Sequence, residues 1–143
     1  MLGGFGPYAM SSNFCYEYFR MSGGRYVVGG MRWAVKGQEE HTVDDSVCNP
    51  EVEAALRRYT DTHFPPLREH PFTTGWTGIM CGTPDGLPLV GGIPNRPGLF
   101  ICGAFNGYGL SFAWNGGRLL ADLVVDGRSQ DPAAGMFSPR RFV

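Results

Sequence analysis

"GAFNGYGLSFAWNGGRLLADLVVDG", residues 103–127, sets three glycines in its first seven residues, immediately ahead of an apolar helical pattern. The run before it, "LFICGAF", residues 99–105, is continuously apolar, the mark of a strand covered on both faces, and residues 110–126 read as an amphipathic helix. A buried strand feeding a helix through glycines predicts part of an α/β sheet. The loop runs Gly103-x-x-x-Gly107-x-Gly109, which does not fit the GxGxxG spacing that places backbone N–H groups on a pyrophosphate. Such a loop can still approach something flat. Gly107 and Gly109 carry no Cβ, and the helix start offers partial positive charge to an electron-rich ring edge; a tight structural turn accounts for the same residues. Ala113, Gly117 and Ala121, four apart, predict a flat face on which the helix packs closely against a neighbouring sheet.

One strand and one helix at the end of the chain cannot make a doubly wound sheet, so the upstream residues decide the class. "GGFGPY", residues 3–8, is no nucleotide loop, because no strand precedes it and Pro7 interrupts any following helix. "NFCYEYFRM" and "YVVGGMRW", joined by "SGGR", predict a β-hairpin over residues 13–33 with positive-φ glycines at its turn. A polar loop follows. Asn49 then caps a helix over residues 50–62, with Pro50 at its first position, Glu51 and Glu53 at its positive end, and Val52, Ala55, Leu56 and Tyr59 on one face. Paired prolines in "HFPPL" stop it. "FTTGWTGIMCG", the turn "TPDG" and "LPLVGG" predict strands within residues 72–93, and "IPNRPG" another turn.

Charge and composition exclude several function classes. Twelve Lys and Arg against 13 Asp and Glu leave a net charge of −1, with no basic face to track phosphates, which argues against nucleic acid. No run of 18 apolar residues and no signal-peptide pattern occurs, so the expectation is a cytoplasmic protein without a membrane segment. The 22 glycines among 143 residues are about twice the usual ~7% share and mark turns and close backbone approaches. Cys15, Cys48, Cys81 and Cys102 form no CxxC pair and are expected as reduced thiols. His41, His63 and His70 have no partner at the spacing of a metal site or triad, and the adjacent Asp44 and Asp45 sit in a polar loop; no metal site is expected.

The order of motifs, "YEYFRMSGGRYVVGG", "THFPPL", "GWTGIMCGTPDGLPLVGG", "LFICGAFNGYGLSFAWNGGRLLADLVVDG" and "FSPRRF", resembles the C-terminal part of FAD-dependent oxidoreductases of the D-amino-acid oxidase / glycine oxidase superfamily. Within it the pattern is most similar to the amine-directed branch exemplified by γ-glutamylputrescine oxidoreductase. The resemblance implies an α+β / α/β class: antiparallel strands of a substrate-binding domain in residues 1–93, then the last strand, loop and helix of a Rossmann-like FAD-binding domain in residues 94–143. In the superfamily the ADP-binding βαβ unit is N-terminal, and the resemblance implies that it is absent from this chain. The chain is then a fragment or a subunit, and alone it should bind FAD weakly or not at all.

The resemblance also implies roles for residues. The loop before the last helix approaches the pyrimidine edge of the flavin, and Gly103, Ala104, Phe105, Asn106, Gly107, Tyr108, Gly109 and Leu110 occupy it here. Tyr108 stands where relatives often have His; tyrosine donates a hydrogen bond but is a poor acid–base group near neutral pH. The arginine that clamps a substrate carboxylate in amino-acid-directed relatives has no counterpart in Gly78, Ile79, Met80 and Cys81, and the lysine of sarcosine-oxidase-like relatives is Ser111. The covalent flavin cysteine of some relatives aligns with Gly78, three residues from Cys81, so the flavin is expected to be non-covalent. Tyr16, Tyr18, Trp76 and Met80 are tentative substrate-pocket residues, aromatic faces suiting a protonated amine, with core packing an equal alternative for the aromatics. No catalytic residue is singled out. The implied activity is oxidation of a C–N bond of a small-molecule amine or amino acid by hydride transfer to flavin. The alternative is a cofactor-free remnant or the non-catalytic subunit of a split enzyme, with a complementary FAD-domain chain or self-association as partner.

Overall fold

A computed structural model describes residues 8–13 and 16–143. Most of the "GGFGPY" stretch and Cys15 lie outside the described residues. The chain forms two compact units, one ending at Ile79 and one comprising Met80–Val143.

The first unit is a three-stranded antiparallel sheet in the order β1 (Met10–Ser12), β2 (Glu17–Ser22), β3 (Arg25–Gly30), packed on helix α1 (Pro50–His63). The expected hairpin is β2–β3, and its turn residues Gly23 and Gly24 sit at φ 55° and 73°, the two left-handed positions of a tight hairpin turn. β1, which adds to β2 on the other edge, was not expected. Helix α1 starts as its sequence predicts: Asn49 Oδ1 accepts the Glu51 N–H at 2.9 Å and Pro50 opens the first turn. Its apolar face buries Ala55 and Tyr59 with Met31, Phe64 and Leu67, against which Phe19, Tyr26, Val28, Val52 and Leu56 pack. The Phe64 ring meets Phe19 edge-on at 4.9 Å and lies 5.1 Å from Tyr26, pairings worth about 0.5–1.5 kcal/mol each beyond area burial.

The second unit pairs β4 (Leu89–Gly92) with β5 (Phe100–Gly103), then continues through α2 (Gly109–Val125), the one-turn helix α3 (Ala134–Phe137) and a final 3-10 turn, Pro139–Phe142. Val90 is fully buried beneath α2, with Leu119 at 3% exposure. No helix among the described residues is long and apolar enough to cross a membrane.

Three expectations are corrected. Residues 72–82 form no strand: Trp76, Ile79 and Met80 are exposed, and among the described residues no strand pairs with the segment, so an alternating pattern lacks the ladder that would hold it extended. β5 is not covered on both faces, since Phe100 is exposed, and among the described residues it pairs with β4 alone, antiparallel. The helix face against the sheet is not Ala113, Gly117 and Ala121, which are all exposed. It is the adjacent Gly116, where a Cβ would lie 3.1 Å from Cys102 Sγ and 3.5 Å from Val90 Cγ2. One residue is about 100° around a helix, enough to exchange the inward face for another.

Candidate functional site

The residues 103–110 follow β5 and lead into α2, and the loop they form is held in an unusual shape. Ala104, Asn106 and Gly107 have φ of 52°, 54° and 88°, so three of four successive residues are left-handed and only one is glycine. For a residue with a Cβ that conformation costs roughly 1–2 kcal/mol. Compensation comes from Asn106. Its Nδ2 donates to the Ala104 carbonyl at 2.8 Å and to Thr83 Oγ1 at 3.3 Å, its Oδ1 accepts the Thr83 N–H at 2.9 Å, and its own N–H donates to the Cys81 carbonyl at 3.2 Å. The Thr83 hydroxyl donates onward to the Leu87 carbonyl at 2.7 Å. The loop is therefore tied to the "TPDG" turn, residues 83–86, and bare backbone at Gly82 matters, because a Cβ there would sit 3.2 Å from Asn106 Oδ1.

Beyond Asn106 the chain turns directly into α2. Tyr108 is the N-cap, its side chain makes no capping bond and it is about half exposed; Leu110 is fully exposed. The Tyr108 N–H bonds the Phe105 carbonyl, while Ser111 and Phe112 both donate to the Tyr108 carbonyl. Among the described residues the N–H groups of Gly107, Gly109 and Leu110 have no backbone or side-chain acceptor. A helix start with free N–H groups, no side-chain cap and no acidic residue in its first turn presents donors and the positive end of the helix dipole to whatever lies beyond it. That donor set suits the carbonyl and ring-nitrogen edge of a flavin.

Of the tentative pocket residues, Met80 is brought to this loop: its sulfur lies 3.5 Å from where a Gly107 Cβ would be. Tyr16, Tyr18 and Trp76 belong to the other unit and are all exposed, at 44%, 55% and 74%; Tyr18 lies across Gly29 of β3. They are surface rings rather than core. Cys48, Cys81 and Cys102 are free thiols, and burial pushes the Cys102 thiol above its ordinary range, away from the reactive thiolate. Asp44 is occupied as a turn former, its Oδ1 accepting from the Ser46 N–H and hydroxyl.

Sequence reasoning located the loop but missed what shapes it. Asn106 was one of eight loop residues, and its anchoring to Thr83, 23 residues earlier, has no spacing signal. It also missed a buried carboxylate in the first unit: Glu17, 3% exposed, accepts from Trp33 Nε1 at 2.6 Å and Ser12 Oγ at 3.1 Å.

Residues 3–123 match the family model described as FAD dependent oxidoreductase, abbreviated DAO. A glycine oxidase from Pseudomonas aeruginosa is 33% identical over 96 residues, which are 66% of this chain and 26% of that protein. The crystal structure of L-proline dehydrogenase from P. horikoshii shares the fold with a TM-score of 0.72 at 24% identity, over 88% of this chain and 32% of that one. The chain thus spans about a quarter to a third of the length of these relatives.

Proposed function

Because the chain belongs to the DAO family of FAD-dependent oxidoreductases, we propose that its loop 103–110 forms the flavin-ring side of an enzyme that oxidises a C–N bond of an amine or amino acid. The observation that carries this reading is the uncapped start of α2, with the N–H groups of Gly107, Gly109 and Leu110 left without acceptors. When bound, the flavin supplies the hydride acceptor, and the electron pair leaves the C–H bond next to nitrogen. The chain's own residues do something simpler. With flavin bound, they would offer fixed donors to its pyrimidine edge, where negative charge grows on reduction, and would do so without reorganising, because Asn106 already holds the loop.

FAD is non-covalent in this reading, and its ADP half is held by residues that this chain does not show, whether on a complementary chain or elsewhere. The exposed rings of Tyr16, Tyr18 and Trp76 offer faces to a protonated amine. The absence of an arginine across residues 78–81 favours an amine over a simple α-amino acid, in keeping with the amine-directed branch, while the likeness to a glycine oxidase keeps amino acids among the substrates to be assayed.

The test uses riboflavin, which carries the ring without the ADP half. Added to the 15N-labelled chain, it is expected to shift the amide resonances of Gly107, Gly109 and Leu110 selectively. Leu110→Pro, which removes one donor at a helix position that tolerates proline, should weaken the response. Shifts concentrated elsewhere, with Gly107, Gly109 and Leu110 unmoved, would overturn the reading in favour of a cofactor-free remnant or a non-catalytic subunit.

A further inference from the structure

The carboxyl-terminal turn carries an arginine whose bonds lead step by step to the loop. Arg141, with its side chain only 15% exposed, makes a two-pronged ion pair to Asp85: Nε to Oδ2 at 2.6 Å and Nη2 to Oδ1 at 3.1 Å. Nη2 also donates to the Leu87 carbonyl at 2.8 Å, Nη1 donates to the Ser138 carbonyl at 3.2 Å, and the guanidinium lies 4.5 Å from the centre of the Phe142 ring. Asp85 and Leu87 are the two ends of one small structure. Asp85 Oδ1 accepts the Leu87 N–H at 3.1 Å, the Gly86 N–H bonds the Thr83 carbonyl at 3.2 Å, and the Leu87 carbonyl accepts from the Thr83 hydroxyl. Thr83 in turn holds Asn106 through its N–H and Oγ1.

We propose that Arg141 is a positioning residue for the loop 103–110, acting through Asp85 and Leu87 on Thr83 and through Thr83 on Asn106. Planar fork geometry is central to this, because a guanidinium can grip both carboxylate oxygens and a carbonyl at once, whereas an ammonium holds one point. Left-handed Ala104 and Asn106 persist only while their surroundings over-determine them, and the Thr83 contacts are the part of those surroundings that the carboxyl terminus controls. The turn Pro139–Phe142 thereby sets the direction of the donors at the start of α2. The inference rests on the flavin reading for its functional meaning, but the mechanical coupling stands or falls separately.

Amide hydrogen exchange on the 143-residue chain separates the two. Arg141→Gln is expected to speed exchange of the Thr83 and Asn106 amides roughly tenfold while the α2 amides around Leu119 keep their protection. Arg141→Lys should give an intermediate effect, and Arg140→Gln, altering the exposed neighbour, none. Should Arg141→Gln fail to fold, Asp85→Asn removes the same grip from the other side. Unchanged exchange at Thr83 and Asn106 in a folded Arg141→Gln or Asp85→Asn chain overturns the coupling. In a second arm, riboflavin is added to each variant: a weaker loop response in Arg141→Gln than in the parent supports the positioning role, and an equal response overturns it. Faster exchange with riboflavin shifts in the parent that lie away from Gly107, Gly109 and Leu110 sinks the flavin reading while leaving the mechanical link in place.

Discussion

Replacing Asn106 tests whether the loop is shaped by its side chain or by its glycines. Asn106→Ala removes three side-chain hydrogen bonds, to the Thr83 N–H, Thr83 Oγ1 and the Ala104 carbonyl. A half-buried N–H left without its acceptor costs about 1–3 kcal/mol, and alanine at φ 54° adds roughly 1 kcal/mol beyond what asparagine pays there. The second unit should therefore lose about 2–4 kcal/mol. Asn106→Gly forfeits the same bonds but tolerates the left-handed backbone, so it should lose about 1 kcal/mol less than the alanine variant. Native-state hydrogen exchange at Leu119 and Leu120, inside α2, reads the opening of this unit without mixing in the unfolding of the first. A loss below about 0.5 kcal/mol for Asn106→Ala, or a glycine variant no better than the alanine one, would refute the argument that asparagine anchors the loop.

Other outcomes follow from the same contacts. Gly117→Ala, with open space where the Cβ would be, should stabilise α2 by about 1 kcal/mol from helix propensity alone; Gly116→Ala should lose that gain and about 1 kcal/mol more to crowding against Cys102 and Val90, and denaturation curves showing equal gains would contradict the assigned helix face. The Arg141 guanidinium holds the Asp85 carboxyl well below the usual carboxylate range, so the pairing contributes above the unfolded carboxylate pKa of about 4 and is lost as pH falls from there through the lower folded value. A 13C-carboxyl titration should find Asp85 still ionised at pH ~4, where a free carboxylate is about half protonated, and a midpoint near ~4 would show the pair to be absent in solution. Glu17→Ala strands the Trp33 indole N–H and leaves the Ser12 hydroxyl with only the Tyr59 hydroxyl at 2.9 Å, and should lower the stability of the first unit by about 2 kcal/mol, visible as a lower Tm.

What could be read from the sequence was what local residues determine. Gly23 and Gly24 take up the left-handed turn that any two-residue hairpin needs, and Asn49 with Pro50 begins α1 by contacts within one turn of the chain. The family motifs likewise pointed to the mixed α and β class with small antiparallel sheets. Expectations failed where a partner elsewhere decides. Residues 72–82 have the alternation of a strand but no paired strand among the described residues, and a four-residue spacing of small side chains could not say that Gly116, rather than Gly117, meets the sheet. Arg141 and Asp85 stand 56 residues apart, beyond the reach of any spacing rule.

The loop itself joins both cases. A glycine-rich stretch reads as backbone freedom, yet of the three left-handed residues between positions 104 and 107 only Gly107 adopts that conformation without a steric cost. Ala104 and Asn106 are held there by bonds that end on the Thr83 turn, and that turn is gripped in its turn by Arg141. The shape of the candidate site is therefore imposed from outside the motif that marks it. Substitution of Thr83, Asp85 or Arg141 should disturb the donors at the start of α2 more than substitution of Gly103, whose added Cβ would meet only ordinary contact with Ile101; a Gly103→Ala chain with loop amide shifts displaced further than those of Arg141→Gln would reverse that order.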